Sequence, residues 1–216
     1  MNDYTLDPNH CVSDETALRA LFPPTHDLAA RKSIAVLDAH AQTFLGLCPF
    51  VCIGTQNTDG TADVSPRGDP AGFIKILDQR TLAIPDRPGN NRLDTLSNIV
   101  TNANVGVLCM IPGFDDTMRI NGTAQLSTDP DLLAQMAIQD RTPKLAIVVH
   151  ISEVFMHCAK AFRRSRLWAP DAQRARSEMP SLMKIMLDQT STAPTDADTM
   201  RQLDDALEAG YKTSMY

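Results

Sequence analysis

The string FVCIGTQNTDGTADVSP, residues 50–66, decides the fold. Residues 50–56 are short, apolar and rich in β-branched side chains. Asp59-Gly60 then precedes a second extended run, TADVSP at 61–66. Asp-Gly between two such runs is a hairpin signal, because it supplies turn conformations that match the twist of antiparallel strands. The pattern repeats outward. FIKIL (73–77) and TLAIP (81–85) flank Asp78–Arg80, NVGVLCMIP (104–112) and TMRINGTAQLS (117–127) flank Gly113–Asp116, and LAIVVHISEVFMHC (145–158) holds a further strand. About six strands joined by short turns predict an antiparallel barrel, closed to remove its edges.

Helical spacing fills the rest. Ser13 is placed to cap a helix through Glu15, Leu18, Leu21 and Phe22, which Pro23-Pro24 end. Leu28, Ile34, Leu37, Ala41, Phe44 and Leu45 continue at helical spacing as far as Pro49. Residues 91–102 and 129–138 read as helices between strands, the second opened by Thr128 with Asp131 three later. Past Pro170, helical patterns near 178–190 and 196–209 flank a linker, TSTAPTDAD. The expected class is α+β, mainly β with helices. A helical segment (1–48) packs on a barrel (49–168), and a helical tail (169–216) follows.

A chain of 216 residues suits one main core. Its 43% apolar and 21% charged residues exclude a disordered polymer. With 20 basic against 26 acidic residues the net charge is −6, a poor footing for nonspecific nucleic-acid binding. Aromatics at 5% offer no stacking platform for single strands. No apolar run is long enough for a membrane span, and MNDYTLDPNH lacks the regions of a signal peptide. The five cysteines (Cys11, Cys48, Cys52, Cys109, Cys158) fit no zinc spacing. The chain reads as reduced and cytoplasmic, without a metal.

Four segments carry candidate chemistry. IPDRPGNNRLDTL (84–96) leaves a strand, turns through Arg-Pro-Gly-Asn-Asn and enters a helix. Exposed main-chain N–H groups, the helix N-terminus, Arg87 and Arg92 make a seat for an anion such as phosphate. A capped loop whose arginines bond carbonyls and Asp86 is the alternative. DVSPRGDPAGF (63–73) carries Ser65, Arg67 and Asp69 on a strand broken by prolines and glycines, which suits a close-passing ligand or a bulged edge. In TMRINGTA (117–124), alternation puts Thr117, Arg119 and Asn121 on one face and Met118 and Ile120 on the other. EVFMHCAKAFRRSRLW (153–168) gathers His157, Lys160, Arg163 and Arg164. His157 and Cys158 are adjacent and point to opposite faces, so they form no dyad. Nucleophile elbows, two-histidine metal spacings and Walker loops are missing from the sequence. Cationic clusters without a nucleophile point to a phosphate-bearing organic cofactor that supplies the hard chemistry.

The strings VSPRGDPAGF, LAIPDRPGNNRLDTLSNI, MRINGTAQLSTDPDLL and EVFMHCAKAFRRSRLW, in that order, closely resemble a bacterial branch of the pyridoxamine 5′-phosphate oxidase-like FMN-binding proteins over residues 13–170. The resemblance implies a split β-barrel, a homodimer, and FMN in the groove between two barrels. It places Ser65, Pro66 and Arg67 beside the flavin, with Ile84, Pro85 and Asp86 against the ring and ribityl chain. Asn90, Asn91 and Arg92 fall at the phosphate, with Arg92 foremost. Thr117 and Arg119 fall at the polar ring edge, and Lys160, Arg163 and nearby His157 come from the partner chain. The implied activity is FMN-dependent oxidation or reduction of a small molecule. Alternatives on the same barrel are a flavin-binding or redox-sensing protein, or one using haem or a deazaflavin. The authentic vitamin oxidase has an Arg-rich strand with a Lys five residues on, and a C-terminal Arg-x-His-Asp-Arg. Ser-Pro-Arg-Gly-Asp and Arg-Ser-Arg-Leu-Trp stand here instead, so the resemblance extends to the cofactor and not to that substrate.

Overall fold

A computed structural model describes residues 4–192, 194 and 196–216. The linker expected at 190–198 includes Ala193 and Thr195, which lie outside the described residues. The described residues divide into two compact units, one up to Ser33 and the other from Ile34 on. The first holds the short helices α1 (Glu15–Ala20) and α2 (Asp27–Arg31). Asp14, not Ser13, caps α1, its Oδ1 accepting from the Ala17 N–H at 2.8 Å. The continuous helical spacing expected from Leu28 to Leu45 is broken. After α2 the chain extends so that Ile34 bridges Val154, and a new helix, α3 (Ala39–Leu47), begins at the cap Asp38.

The larger unit is an antiparallel split barrel of seven strands: β1 (Phe50–Gln56), β2 (Ala62–Gly68), β3 (Lys75–Asp78), β4 (Thr81–Pro85), β5 (Asn104–Met110), β6 (Thr117–Ser127) and β7 (Ala146–His157). Their order across the sheet is β2-β1-β5-β6-β7-β4-β3. The period of two builds the core. Val51 and Ile53, Val105 and Val107, Met118 and Ile120, Val149 and Val154, and Leu82 and Ile84 all turn inward. The helix α4 (Asp94–Thr101) lies between β4 and β5 in the chain. Its buried polar groups are satisfied by the first hairpin: Thr95 donates to Asp63 at 2.5 Å, and Asn98 to Thr55 at 3.0 Å.

β4 is buried at all five positions. Leu82 and Ile84 face the core, while Ala83 lies with Ala146 under Leu133 and Met136, at and just beyond α5 (Pro130–Ala134). Asp129 rather than Thr128 caps α5. Both faces of β4 are therefore covered, and its exit at Pro85 is rigidly aimed. α6 (Lys160–Ser165) follows β7, and the tail holds α7 (Leu182–Gln189) and α8 (Ala197–Ser214).

The β6–β7 register shifts at Asn121/Gly122, where the backbones crowd. A Cβ on Gly122 would overlap the His150 carbonyl oxygen, whereas one on Gly46 in α3 meets nothing within 4 Å. Gly122→Ala should cost about 1–3 kcal/mol of stability and Gly46→Ala should add about 0.5–1 kcal/mol; denaturant unfolding of both variants checks the pair.

Candidate functional site

The site begins where β2 and β4 run out. β3 pairs with β4 only from Thr81 to Ala83, so the end of β4 has no strand on that side. Side chains from the end of β2 take its place. Arg67 donates to Asp86, and Asp69 accepts from the Nε of Arg87 at 2.6 Å. Both pairs are withdrawn from water; the Asp69 side chain is 2% exposed and that of Arg87 15%. Arg87 also donates to the Met136 carbonyl at 2.8 Å. Its guanidinium lies 5.6 Å from the centre of the Tyr216 ring, whose hydroxyl donates to Asp69 at 2.9 Å. That hydrogen bond to a carboxylate, aided by burial and by the negative charge of Asp69, raises the Tyr216 phenol above its ordinary value. The phenol therefore stays a donor at neutral pH.

A cavity of about 410 Å³ opens against this seam, lined by Ser65–Asp69, Phe73, Pro85 and Arg87–Asn90. The Arg67 Nε is buried and has no hydrogen-bond partner among the described residues. A second cavity, of about 360 Å³, lies on the same loop; Asp86–Gly89, Asn91, Arg141–Lys144 and Tyr216 line it. Asn91 and Leu93 are left-handed, with φ of 58° and 62°. This bends the chain into α4 so that its N-terminus has no side-chain cap, which leaves N–H groups and a partial positive charge for an anion.

The structure thus brings Ser65, Pro66, Arg67, Pro85, Asp86, Asn90 and Asn91 to two adjoining cavities. Ile84 precedes them with its side chain wholly in the core, leaving only its backbone to a ligand. Arg92 is largely exposed and donates to Asp94 at 2.8 Å. The other five expected residues stand apart. Thr117 is opposite His157 across β6–β7, and it is buried. Arg119 lies on the outer face, 5.2 Å from the Phe155 ring centre. Lys160 and Arg163 are on α6, where Arg163 pairs with Asp115 at 3.1 Å and Trp168 donates to the Phe114 carbonyl at 2.7 Å. Asp115 belongs to the β5–β6 turn, within the Gly113–Asp116 stretch expected between those strands.

Tyr216, Arg141 and Lys144 went unnoticed in the sequence. Tyr216 is 147 positions from Asp69, and a tyrosine in the tail gives no local signal. The thiols offer no nucleophile at either cavity. Cys48 and Cys109 are core residues that share a hydrogen bond. That bond brings Cys48 down to about 7 against the opposing effect of burial, and it holds Cys109 well above the thiol range. No metal-binding group of side chains exists among the described residues, and none of their helices is long and apolar enough to cross a membrane.

The family model described as pyridoxamine 5′-phosphate oxidase matches residues 37–158, just over half of the chain. No curated protein matches in sequence. Similar solved structures include HupZ of Group A Streptococcus, 17% identical over 53% of this chain and 91% of that one, with a TM-score of 0.43. General Stress Protein 26 of Bacillus anthracis is 14% identical over 53% and 88%, with a TM-score of 0.42. The FAD binding protein of Mycobacterium smegmatis is 17% identical over 57% and 97%, with a TM-score of 0.40.

Removing one partner of a withdrawn ion pair strands the other charge. Asp69→Asn should destabilise the fold by about 3–5 kcal/mol, and the double change Asp69→Leu with Arg87→Met should recover much of that loss in denaturant melts.

Proposed function

The chain belongs to the pyridoxamine 5′-phosphate oxidase family, and from that premise we propose that it is an FMN-dependent oxidoreductase of a small molecule, working as a homodimer with flavin at the seam between copies. The observation that carries this reading is the Arg67 Nε, buried in the cavity wall with its proton unshared. An unmet buried donor costs roughly 1–3 kcal/mol, which an acceptor atom of a ligand would recover. A flavin fits the donor set, since its ring edge is rich in acceptors and its phosphate is an anion.

In this reading Asp86 orients the Arg67 guanidinium, and Ser65 and the main chain of Pro85 flank the ring. Asn90, Asn91 and Arg92 hold the phosphate with the uncapped start of α4. Bound flavin supplies two-electron chemistry, taking a hydride equivalent from a donor. Arg67 donates toward the ring edge, where fixed positive charge favours the electron-rich form. No protein nucleophile is required.

The outer sheet face supports the second copy. Pro66, Cys52, Leu108, Arg119 and Phe155 share one row from β2 to β7. Val64 on the same face is 70% exposed and Phe50 37%. A partner seated there would bring its own Thr117, Arg119, His157, Lys160 and Arg163 toward the first copy's cavity.

The purified protein should be a yellow dimer that releases FMN on denaturation. Arg67→Leu should weaken FMN by about 10–100-fold, the worth of a hydrogen bond from a charged donor. Arg92→Ala should weaken FMN as well. Flavin fluorescence titration and light scattering measure both properties. A colourless monomer that takes up no added FMN would refute the reading.

A further inference from the structure

One residue carries the polar ties between the far end of the tail and the barrel. α7 and α8 pack on each other, and neither has a buried residue. Among the described residues, the hydrogen bonds and ion pairs of residues 182–215 all stay inside the tail. Helices gain most of their stability from what they pack against, so this pair needs an anchor. Tyr216, just past α8, supplies it. Its hydroxyl donates to Asp69 at 2.9 Å, its ring lies against the Arg87 guanidinium, and its main-chain oxygen accepts from Arg141.

The receptacle does not depend on its occupant. Asp69 holds the Arg87 Nε at 2.6 Å through its other carboxylate oxygen, and Arg87 holds the Met136 carbonyl at 2.8 Å. Withdrawing Tyr216 therefore leaves no buried charge unpaired. It frees one oxygen of Asp69, which water meets once the ring has left, and one amino group of Arg141, a residue already exposed. Removing Asp69 or Arg87 would instead strand a charge. A contact whose loss strands nothing is able to open and close. A tyrosine suits that task, because its side chain has only two torsions to fix on docking.

We propose that the tail is a strap with Tyr216 as its catch, closing the second cavity when seated on Asp69, Arg87 and Arg141 and opening it when released. The other residues lining that cavity come from two barrel loops, at 86–91 and 141–144, and Tyr216 is the wall that the tail contributes. The seated ring covers Arg87, which with Pro88 and Gly89 also lines the first cavity. As a cover over Arg87 the strap stands by itself. As a gate for the cofactor it rests on the flavin reading, in which Asn91, in the wall of the second cavity, meets the phosphate.

Phenylglyoxal, which modifies accessible guanidinium groups, is the probe. It is applied to the full-length protein in excess FMN, and peptide mass spectrometry reads the rate at each arginine. Tyr216→Phe loses one hydrogen bond to a charged group, so Arg87 should react about 10–100-fold faster than in the wild type. Tyr216→Ala, which also loses the ring, should be faster still. Arg141→Gln loosens the catch from its other side and should speed Arg87 as well. Arg67, in the wall of the first cavity, should keep its wild-type rate throughout. The variants keep the Asp69–Arg87 pair and are expected to fold, which circular dichroism verifies. An Arg87 rate that is the same in the wild type and the Tyr216 variants overturns the proposal. Equal acceleration at Arg67 also overturns it, by making the tail a support for the whole seam. Where flavin is bound, Tyr216→Ala should release it about 10-fold faster with its absorption spectrum unchanged; release at the wild-type rate overturns the strap as a gate. A wild-type protein that takes up no FMN while Arg87 responds as expected sinks the flavin reading and upholds the strap.

Discussion

A pair of reciprocal ion pairs across the barrel seam governs the rest of this structure. A seven-stranded antiparallel sheet that curls without closing leaves strand ends with unmet backbone groups and a gap between them. Here β3 is too short to cover the end of β4, and the end of β2 approaches from the other side. The link is made by side chains of alternating sign, Arg67 to Asp86 and Asp69 to Arg87. Backbone hydrogen bonds would draw the strands to about 4.8 Å and leave no room. Side-chain pairs hold the ends apart by the length of a guanidinium and a carboxylate, and cavities open on either side of the link. Taking four charges out of water has a desolvation cost that an apolar seam would avoid. Fixed polar walls around an anion or a redox cofactor are what such a seam provides in return.

The sheet was legible because its signal is local. Residues 50–56 are a short β-branched run and 117–127 alternate, their turns carry Gly and Asp, and the observed strands have those bounds. The seventh strand and the open seam were less legible than the hairpins, since short β3 and its edge depend on what packs beside them. The helix expected through Leu28 and Leu45 failed for a related reason. Apolar spacing across 28–45 fits one helix, but Ile34 finds a backbone partner in Val154, and a tertiary bridge overrides a periodic pattern. At the caps, Asp14 and Asp129 displaced the neighbouring Ser13 and Thr128. Adjacent oxygen-bearing residues compete for the same N–H groups, and sequence does not rank them.

The loop at 84–92 announced itself through Pro, Gly and Asn, residues whose backbone needs are visible one at a time. Its partners did not. Nothing about Arg87 says that its carboxylate is Asp69 and its carbonyl Met136, because pairing across a fold depends on the whole path of the chain. Tyr216 is the extreme case, tying the far tail to the end of β2. The other group of expected residues, from Thr117 to Arg163, shares the sheet's far side and the α6 turn. Single-chain geometry leaves it away from the seam cavities, which is why its role belongs to a two-copy reading.

Counting donors separates the arginines that build from those that bind. A guanidinium has five N–H groups and no acceptor, so what it has left over is a measure of what it can offer. Arg87 meets a carboxylate, a carbonyl and an aromatic face, and it sits in the wall common to both cavities. It is the rigid partition, and a ligand on either side meets a surface already fixed in place. Arg67 is tied at one amino group to Asp86 while its Nε stays dry and unshared. Arg141 is tied at one amino group to the main-chain oxygen of Tyr216. Arg67 lines the first cavity and Arg141 the second. The seam makes that possible by supplying, in Asp86 and Tyr216, anchors that hold each guanidinium without using it up.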